Sequence, residues 1–312
     1  VGRFMTEYGM QSFPSMSMVE SFTYEKDRSL DSNVMNAHQK ASLGTANLLK
    51  YVEDYYRMND DFDSIVGLSQ IMQAEAIRFA VEAHRRNMPY CMGTLYWQFN
   101  DCWPVISWSS IDYGGNWKAL HYAARKFFSP ILVSIRDLDD KIEIHVINDQ
   151  HHEVESRIRL GLFNLNGDIL FKDSSEINVE PFSSTIYRAF DKNDFLSGID
   201  LCATVFRAEL FVGGRVLSRA HQFFKRPKYL SIPLPEFDYK IERVLGKYVI
   251  TIKSKSFLCQ VHLISIKVRG VFSDNYFEML PGEVQMIDFE PSENKELKKS
   301  ELIIRTLHEL MN

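Results

Sequence analysis

The hydrophobic period of this chain changes near Pro130, and the change separates two kinds of structure. Before Pro130, apolar residues recur every three or four positions over long stretches, which is typical of amphipathic helices. After it, apolar and polar residues alternate, as at Ile142, Ile144 and Val146, which is typical of half-buried strands. A chain with this pattern is expected to combine a helical region that has few strands with domains made of strands.

Residues 1–129 are predicted to alternate strands with helices. Two short apolar runs, 2–6 and 90–98, resemble buried parallel strands. The second of the helix-like stretches has Asp63 or Ser64 as a candidate N-cap. This order is that of consecutive βα units. The helix-like stretches cover about 32–58, 63–86 and 117–128.

The alternating region is predicted to form two β-domains. About seven strand-like runs between residues 131 and 224 indicate an immunoglobulin-like sandwich, with Asn166-Gly167 and Gly213-Gly214 as hairpin turns. Further strand-like runs after a proline-containing linker indicate a second, smaller sandwich. Each sandwich is expected to have a core of its own. The predicted domains are residues 1–129, 130–228 and 229–312.

All four tryptophans of the chain lie in one run, TLYWQFNDCWPVISWSSIDYGGNWKALHY, between Thr94 and Tyr122. Indole rings stack on the C–H faces of a sugar, and the polar residues between them can bond its hydroxyl groups. For any single tryptophan, an aromatic core beside a polar turn explains the residue equally well. Four tryptophans together favour a carbohydrate site.

A second motif, FMTEYGMQSFP, opens the chain and has one carboxylate at its centre. Glu7 ends a short apolar run and precedes a glycine-containing turn, so its side chain is expected on rigid backbone, as a nucleophile requires. Taken alone, a glutamate is more often a surface residue. An attacking carboxylate must be ionised, and Tyr8, Gln11 and Asn100 are candidate donors to it.

The two motifs resemble those of the β-mannosidases of glycoside hydrolase family 2, with YWQFNDCWP beginning 89 residues after Glu7. The resemblance is strong up to about residue 130 and looser beyond it. It implies a C-terminal fragment of a (β/α)8 TIM barrel followed by two immunoglobulin-like β-sandwich domains. It also implies that Glu7 is the nucleophile of a retaining enzyme and that Trp97 forms part of the wall of the sugar subsite.

Further substrate contacts are predicted in the same run. Asn100 and Asp101 are expected to bond sugar hydroxyls, although a role in shaping the loop before Pro104 fits them nearly as well. Trp103 is expected either to form part of the pocket wall or to pack beneath the pocket. The same two positions are possible for Trp108. Trp117 is expected in the core, where the helix that it begins faces the barrel.

The acid/base of the resembled family is not found in this chain. A retaining glycosidase needs a second carboxylate about 5–5.5 Å from the nucleophile, and in this family it belongs to an Asn-Glu pair. The sequence has no such pair, since Asn294 is followed by Lys295. A complete barrel also needs about 250 residues. We therefore expect a fragment, inactive alone, of an exo-β-mannosidase that releases terminal β-linked mannose by double displacement.

Composition argues against several other classes of protein. With 36 basic and 41 acidic residues, the net charge of −5 does not favour nucleic acid or an anionic membrane as a partner. The apolar stretches are far shorter than the ~20 residues of a membrane helix. No metal or cofactor is expected, because His151-His152 fits a solvated turn and the cysteines lack metal-ligand spacing. We interpret the cysteines as buried thiols; they are Cys91, Cys102, Cys202 and Cys259.

Other functions stay open beside the exo-β-mannosidase. The fragment could derive from an endo-β-mannosidase or an exo-β-glucosaminidase of the same family. A different class of function is a carbohydrate-binding module, in which the β-domains bind glycan and the barrel part is only a scaffold. The expected partners are an oligosaccharide or glycoprotein glycan with β-linked mannose, and the remainder of the parent chain.

Overall fold

The computed structural model describes residues 1–293 and 295–312, so that Asn294 lies outside the described residues. The described chain forms two compact units. In the described ranges, no helix combines the length and the apolar composition that a membrane span requires. The first unit comprises Val1–Tyr8, Ile77–Tyr96 and Ala124–Ser231, and the second comprises Gly9–Ala76, Trp97–Ala123 and Ile232–Asn312.

The residues before Pro130 alternate strands with helices, as predicted. Strand β1 (Met5–Tyr8) pairs in parallel with strand β2 (Thr94–Tyr96). Strand β2 lies within the predicted run 90–98, and β1 overlaps the predicted run 2–6. Because β1 continues to Tyr8, Glu7 lies inside this strand rather than after it. The helices are α1 (Met16–Phe22), α2 (Asn33–Ala37), α3 (Gly44–Tyr55), α4 (Phe62–Arg85) and α5 (Ala119–Phe127).

The single helix predicted over residues 32–58 is wrong, because the chain leaves the helical path between α2 and α3. There Ile106 N donates to His38 O over 2.7 Å, and Lys40 N donates to Ile106 O over 3.3 Å. At the start of α3, a Cβ on Gly44 would lie 2.4 Å from the Gln39 and Gln11 side chains. Pairing with a distant segment therefore overrides the helical period.

Helix α4 is the longest helix of the described chain, with 24 residues. Its cap is neither of the predicted residues. The Asp61 carboxylate accepts from Ser64 N over 2.9 Å and from Ser64 Oγ over 2.8 Å, which satisfies a backbone donor of the first turn. The sequence prediction missed Asp61 as the N-cap because this residue lies in an acidic run that is typical of a loop.

The first sandwich consists of a sheet in the order β3-β4-β7 and a sheet in the order β6-β5-β8-β9. Its core draws all its buried members from residues 131–220, among them Ile144, Ile158 and Phe206. The prediction of a separate core holds for this sandwich. Its elements are β3 (Ile131–Asp137), β4 (Lys141–Asn148), β5 (Val154–Asn164), β6 (Ile169–Val179), β7 (Ser183–Asp191), α6 (Lys192–Phe195), β8 (Thr204–Val212) and β9 (Arg215–Gln222).

This sandwich meets the last turns of α4 through polar groups. Ser134 Oγ in β3 donates to the buried Glu82 carboxylate and accepts from Arg86 Nη1 over 2.6 Å. Arg85 pairs with Asp149 over 2.8 Å. Burial lowers the pKa of both arginines, whereas the neighbouring carboxylates raise it. These contacts form a network of paired charges between α4 and the sandwich.

The second sandwich has sheets in the orders β10-β11-β15-β13 and β14-β12-β16. The short strand β13 and the terminal helix were not predicted, since each is too brief to show a period. Its elements are β10 (Phe237–Val244), β11 (Lys247–Ser254), β12 (Leu258–Ser265), β13 (Gly270–Phe272), β14 (Phe277–Met279), β15 (Val284–Pro291), β16 (Leu302–Arg305) and α7 (Leu307–Met311).

The core of the second sandwich is shared with the barrel residues, so the expected separate core is wrong here. Tyr122 of α5 is buried in the same cluster as Ile250, and Trp117 packs against that cluster. Leu310 of α7 covers Gly67 of α4, where an added Cβ would lie 3.0 Å from the leucine side chain. Large side chains from outside the β-domain therefore complete its interior.

The cysteines are not all buried. Cys91 and Cys259 are buried thiols, as interpreted, and burial raises the pKa of Cys259 well above its usual range. Cys202 is half-buried and Cys102 is exposed. The interpretation is wrong for Cys102 because it lies in a surface turn.

Candidate active site

The carboxyl ends of β1 and β2 share one edge, because the strands are parallel: Met5 pairs with Thr94 and Tyr8 with Tyr96. Glu7 is exposed near the end of β1. Trp97 follows β2 directly along the chain. In barrel enzymes the catalytic groups come from this edge.

The end of β1 is fixed by a hydrogen-bonded group that the sequence did not reveal. Thr94 Oγ1 lies 2.6 Å from Tyr8 Oη and 2.8 Å from His84 Nδ1. The Tyr8 and His84 rings make an edge-to-face contact at 5.3 Å. Burial raises the pKa of Tyr8, against a smaller lowering effect of its bond to Thr94. No motif marks Thr94 or His84, since their role depends on a contact across the two strands.

Two of the three candidate donors to Glu7 direct their polar atoms to other partners. The Tyr8 hydroxyl bonds Thr94, and Gln11 Nε2 donates to Gln39 Oε1 over 2.8 Å. Sequence reasoning could not separate these possibilities, because the partners Thr94 and Gln39 are distant along the chain.

Gly9 is required by a close approach of two backbones. A Cβ at this position would lie 2.2 Å from Trp97 O and 3.1 Å from Trp108 Cδ1. Any side chain would therefore displace the loop that follows β2. The glycine of the TEYG motif is therefore required by packing within the second compact unit.

The loop after β2 folds back on itself and leaves Trp97 accessible. Gln98 N donates to Trp108 O over 3.1 Å, and Ser110 N donates to Gln98 O over 3.0 Å. Trp97 is 47% exposed, and Asn100 is also exposed. An indole and an amide are thus available to a ligand, as stacking and hydrogen bonding of a sugar require.

Asp101 is buried, with 6% of its surface exposed. Its carboxylate accepts from Ser107 Oγ over 2.8 Å, from Ser109 Oγ over 2.5 Å and from Gln98 Nε2 over 3.3 Å. These partners all belong to the same loop. The contacts suit a residue that holds the shape of this loop.

Lys118 is a buried lysine beside the same loop, where its backbone N donates to Ser110 O over 3.0 Å, and sequence analysis missed it. Only 1% of its surface is exposed. Burial lowers its pKa to about 7, against the raising effect of Asp101 and Asp112. Asp112 also accepts from Ser15 N over 3.2 Å and from Asn116 Nδ2 over 3.0 Å. Asp112 therefore joins the start of α1 to the turn before α5.

Trp103 rests on a stacked pair of rings. His38 lies parallel to Phe22 at 3.9 Å between centroids and 5.5 Å from the Trp103 ring. His38 Nδ1 lies 2.6 Å from Pro104 O, within hydrogen-bond distance. Because Trp103 is still 37% exposed, it packs on this pair and also presents part of its ring to solvent.

Trp117 packs against a core, as expected, but this core is that of the second sandwich. It contacts Tyr122 edge to face at 5.2 Å and packs against the core of the second sandwich. The sequence did not predict this partner, because helical periodicity identifies an apolar face but not the element that covers it.

Within the described residues, no cluster of three or more His, Cys, Asp or Glu side chains has the arrangement of a metal site. The chemistry on these loops is that of carboxylates, amides, hydroxyls and indoles, which are the groups that bind sugars.

Two domain families match the β-region. A mannosidase Ig/CBM-like domain matches residues 140–229, and an Ig-fold domain matches residues 232–310. The β-D-mannosidase structure from Dictyoglomus thermophilum superposes on 97% of this chain with a TM-score of 0.89 and 28% sequence identity. The chain thus resembles the C-terminal part of a β-mannosidase of glycoside hydrolase family 2. The match confirms the predicted fold class, a TIM-barrel fragment followed by two immunoglobulin-like sandwiches.

Relatives within the β-mannosidases are considerably longer than this chain. The β-mannosidase of Capra hircus is 28% identical over 322 residues, which cover 96% of this chain and 36% of that protein. The Dictyoglomus match covers 37% of its own chain. This chain thus spans little more than a third of the length of these relatives. The exo-chitosanase CsxA of Amycolatopsis orientalis shares the fold, with a TM-score of 0.74 at 17% identity over 92% of this chain and 39% of its own.

Proposed function

We propose that the protein to which this chain belongs is a retaining exo-β-mannosidase, with Glu7 as its nucleophile. The observation that carries the proposal is the exposed Glu7 carboxylate near the end of β1, a strand paired in parallel with β2. The similarity of the chain to β-mannosidases over nearly its whole length supports this substrate class.

The proposed reaction has two displacements. The Glu7 carboxylate attacks the anomeric carbon, the bond to the leaving oxygen breaks, and a second carboxyl group protonates that oxygen. Water then attacks the glycosyl-enzyme, and the second group accepts the proton of the water while the Glu7 carboxylate is released. We place the second carboxyl group in the part of the protein outside this chain.

The residues of the loop after β2 receive different roles in this proposal. Trp97 stacks on the mannose ring, and Asn100 bonds a hydroxyl group, since both side chains are exposed. Trp103 contributes the exposed part of its ring to the wall of the subsite. Asp101 holds the loop rather than the sugar, because its carboxylate already accepts from Ser107 and its other loop partners.

The first experiment replaces Glu7 by Gln in the full-length protein. Turnover of nitrophenyl β-mannoside is expected to fall by several orders of magnitude with little change in folding, since the nucleophile is lost and the shape is kept. Glu155→Gln, at an exposed strand position of the first sandwich, is the matched control and should keep wild-type turnover. A Glu7→Gln enzyme with more than about a tenth of wild-type kcat contradicts the assignment, since tenfold is only ~1.4 kcal/mol.

The same assay distinguishes the substrate classes. Wild-type enzyme is expected to prefer the β-mannoside over the corresponding β-glucosaminide and β-galactoside. Preference for the β-glucosaminide makes the protein an exo-β-glucosaminidase. Absence of turnover on all three glycosides, in a folded full-length protein that still binds mannosides, supports the non-catalytic binding module instead.

The second experiment concerns Trp97. Trp97→Ala removes an aromatic plate whose stacking is worth about 1–3 kcal/mol. We expect kcat/KM to fall about tenfold or more. Wild-type kinetics in a folded variant would remove Trp97 from the subsite and reopen the choice between Trp103 and Trp108 as its aromatic wall.

A further inference from the structure

The loops that follow β1 and β2 are bonded to the same buried amide. Gln73 lies on α4 and has none of its surface exposed. Its Nε2 donates to Met10 O over 2.7 Å and to Ser109 O over 3.4 Å. Its Oε1 accepts from Ser12 Oγ over 2.7 Å. One side chain thus contacts residues 10–12, which follow Glu7, and residue 109, which follows Trp97.

Neighbouring contacts tie the same two loops together. Ser12 N donates to Ser107 O over 2.9 Å, and Ser107 N donates back to Ser12 O over 3.3 Å. One turn earlier on α4, Ser69 Oγ accepts from Phe13 N over 3.1 Å. The two loops therefore share a backbone pairing and rest together on one face of α4, with the Gln73 amide bonded to both.

We propose that Gln73 is a positioning residue that sets the orientation of both loops for catalysis. The inference rests on the proposed function, because it assigns the loops to a glycosidase site. A donor and an acceptor are both needed: one holds the main chain at Met10, three residues after Glu7, and the other holds Ser12. A small displacement of either loop changes the approach of a nucleophile, and misplacement by about 1 Å can reduce turnover about a hundredfold.

The test uses the full-length enzyme with Gln73→Met and Gln73→Glu. Active sites are counted with a mechanism-based fluorosugar, and kcat is expressed per counted site. A merely structural role reduces the number of sites and leaves kcat per site unchanged. Positioning lowers kcat per site, and we expect a loss of about tenfold to a hundredfold for Gln73→Met.

The pH dependence of kcat per site in Gln73→Glu gives a further test, because a change in packing alone does not alter it. A protonated carboxyl group can donate to Met10 O and accept from Ser12 Oγ, whereas a carboxylate can only accept. Burial favours the protonated form. We therefore expect kcat per site of Gln73→Glu to approach wild type as the pH falls, relative to the wild-type pH profile. A profile parallel to that of wild type contradicts the proposal.

The control is Ser64→Ala, which removes a buried hydroxyl of α4 that donates to the Asp61 carboxylate over 2.8 Å. It should lower stability without lowering kcat per site. If Glu7→Gln abolishes activity but Gln73→Met keeps wild-type kcat per site, the positioning role fails and the nucleophile assignment stands. If Glu7→Gln itself keeps activity, the nucleophile assignment and with it the proposed function are wrong, whatever the result for Gln73→Met.

Discussion

The two β-sandwiches join the barrel residues by different chemistry. The first meets α4 through charged and polar groups centred on Glu82, Arg86 and Ser134. The second shares an apolar core with the barrel residues, in which Tyr122 lies beside strand residues of the sandwich. Burial of apolar surface dominates folding energetics, whereas desolvation offsets much of the attraction in a buried ion pair.

This difference indicates that the sandwiches have different degrees of independence. The first could lose its contact with α4 and keep its interior. The second could not lose α5 without exposing the cluster around Tyr122. The second sandwich also belongs to the same compact unit as the loops 9–13 and 97–110 that carry most of the predicted sugar contacts. Its integrity should therefore affect these loops more directly.

Separate expression of the two sandwiches should have the largest effect. Residues 130–229 are expected to unfold in one cooperative urea transition, since their core is complete. Residues 230–312 are expected to lack such a transition, because the side chains that complete their core are missing. Circular dichroism at increasing urea concentration tests both pieces against the 312-residue chain. If residues 230–312 alone unfold cooperatively and are as stable as in the 312-residue chain, the two sandwiches do not differ in their independence.

Tyr122→Ala should produce the next largest change. Truncation of a buried aromatic side chain costs about 3–5 kcal/mol, and the loss should appear in the transition reported by tryptophan fluorescence. All four tryptophans lie between residues 97 and 117, in the unit that contains the second sandwich. Tyr122→Phe, which keeps the ring, should lose much less. Equal losses in the two variants would show that the hydroxyl, and not the shared core, carries the contribution.

The pH dependence of stability should also differ between the regions. His262 of β12 is stacked on Tyr276 and near Arg305 and Asp63, and burial lowers its pKa to about 4. The unfolded state, with a pKa near 6.5, therefore binds more protons between these values. Stability should be full above pH 6.5 and fall on the order of 3 kcal/mol as the pH drops to 4. In His262→Gln, urea unfolding should depend less on pH over this window; an unchanged slope contradicts the assignment.

Ser134→Ala should have the smallest effect. It removes a hydroxyl bonded to Glu82 and Arg86, while those two side chains remain paired with one another over 3.6 Å. The expected loss is about 1 kcal/mol, measured by urea unfolding of the 312-residue chain. The control Ser156→Ala removes a hydroxyl of the same sandwich whose bond to Ile177 O is long, at 3.4 Å. A loss from Ser134→Ala as large as that from Tyr122→Ala would show that the polar contact is as strong as the shared core.

The sequence by itself determined the fold class of this protein. The change of period at Pro130 separates the barrel fragment from the sandwiches, and the motifs around Glu7 and Trp97 indicate the family. These features could be predicted because alternation, helical spacing and long motifs are local properties of the chain. The roles of Glu7, Trp97, Asn100 and Trp103 in binding and catalysis stay predictions.

Only the tertiary structure decided which residues hold these motifs in place. The break between α2 and α3 follows from pairing with Ile106, and the fold brings the buried Lys118 near two carboxylates that raise its pKa. Gln73 lies 61 residues from Ser12, the hydroxyl that it accepts from. Such partners are chosen by packing between segments that are far apart in the sequence, so no local pattern records them.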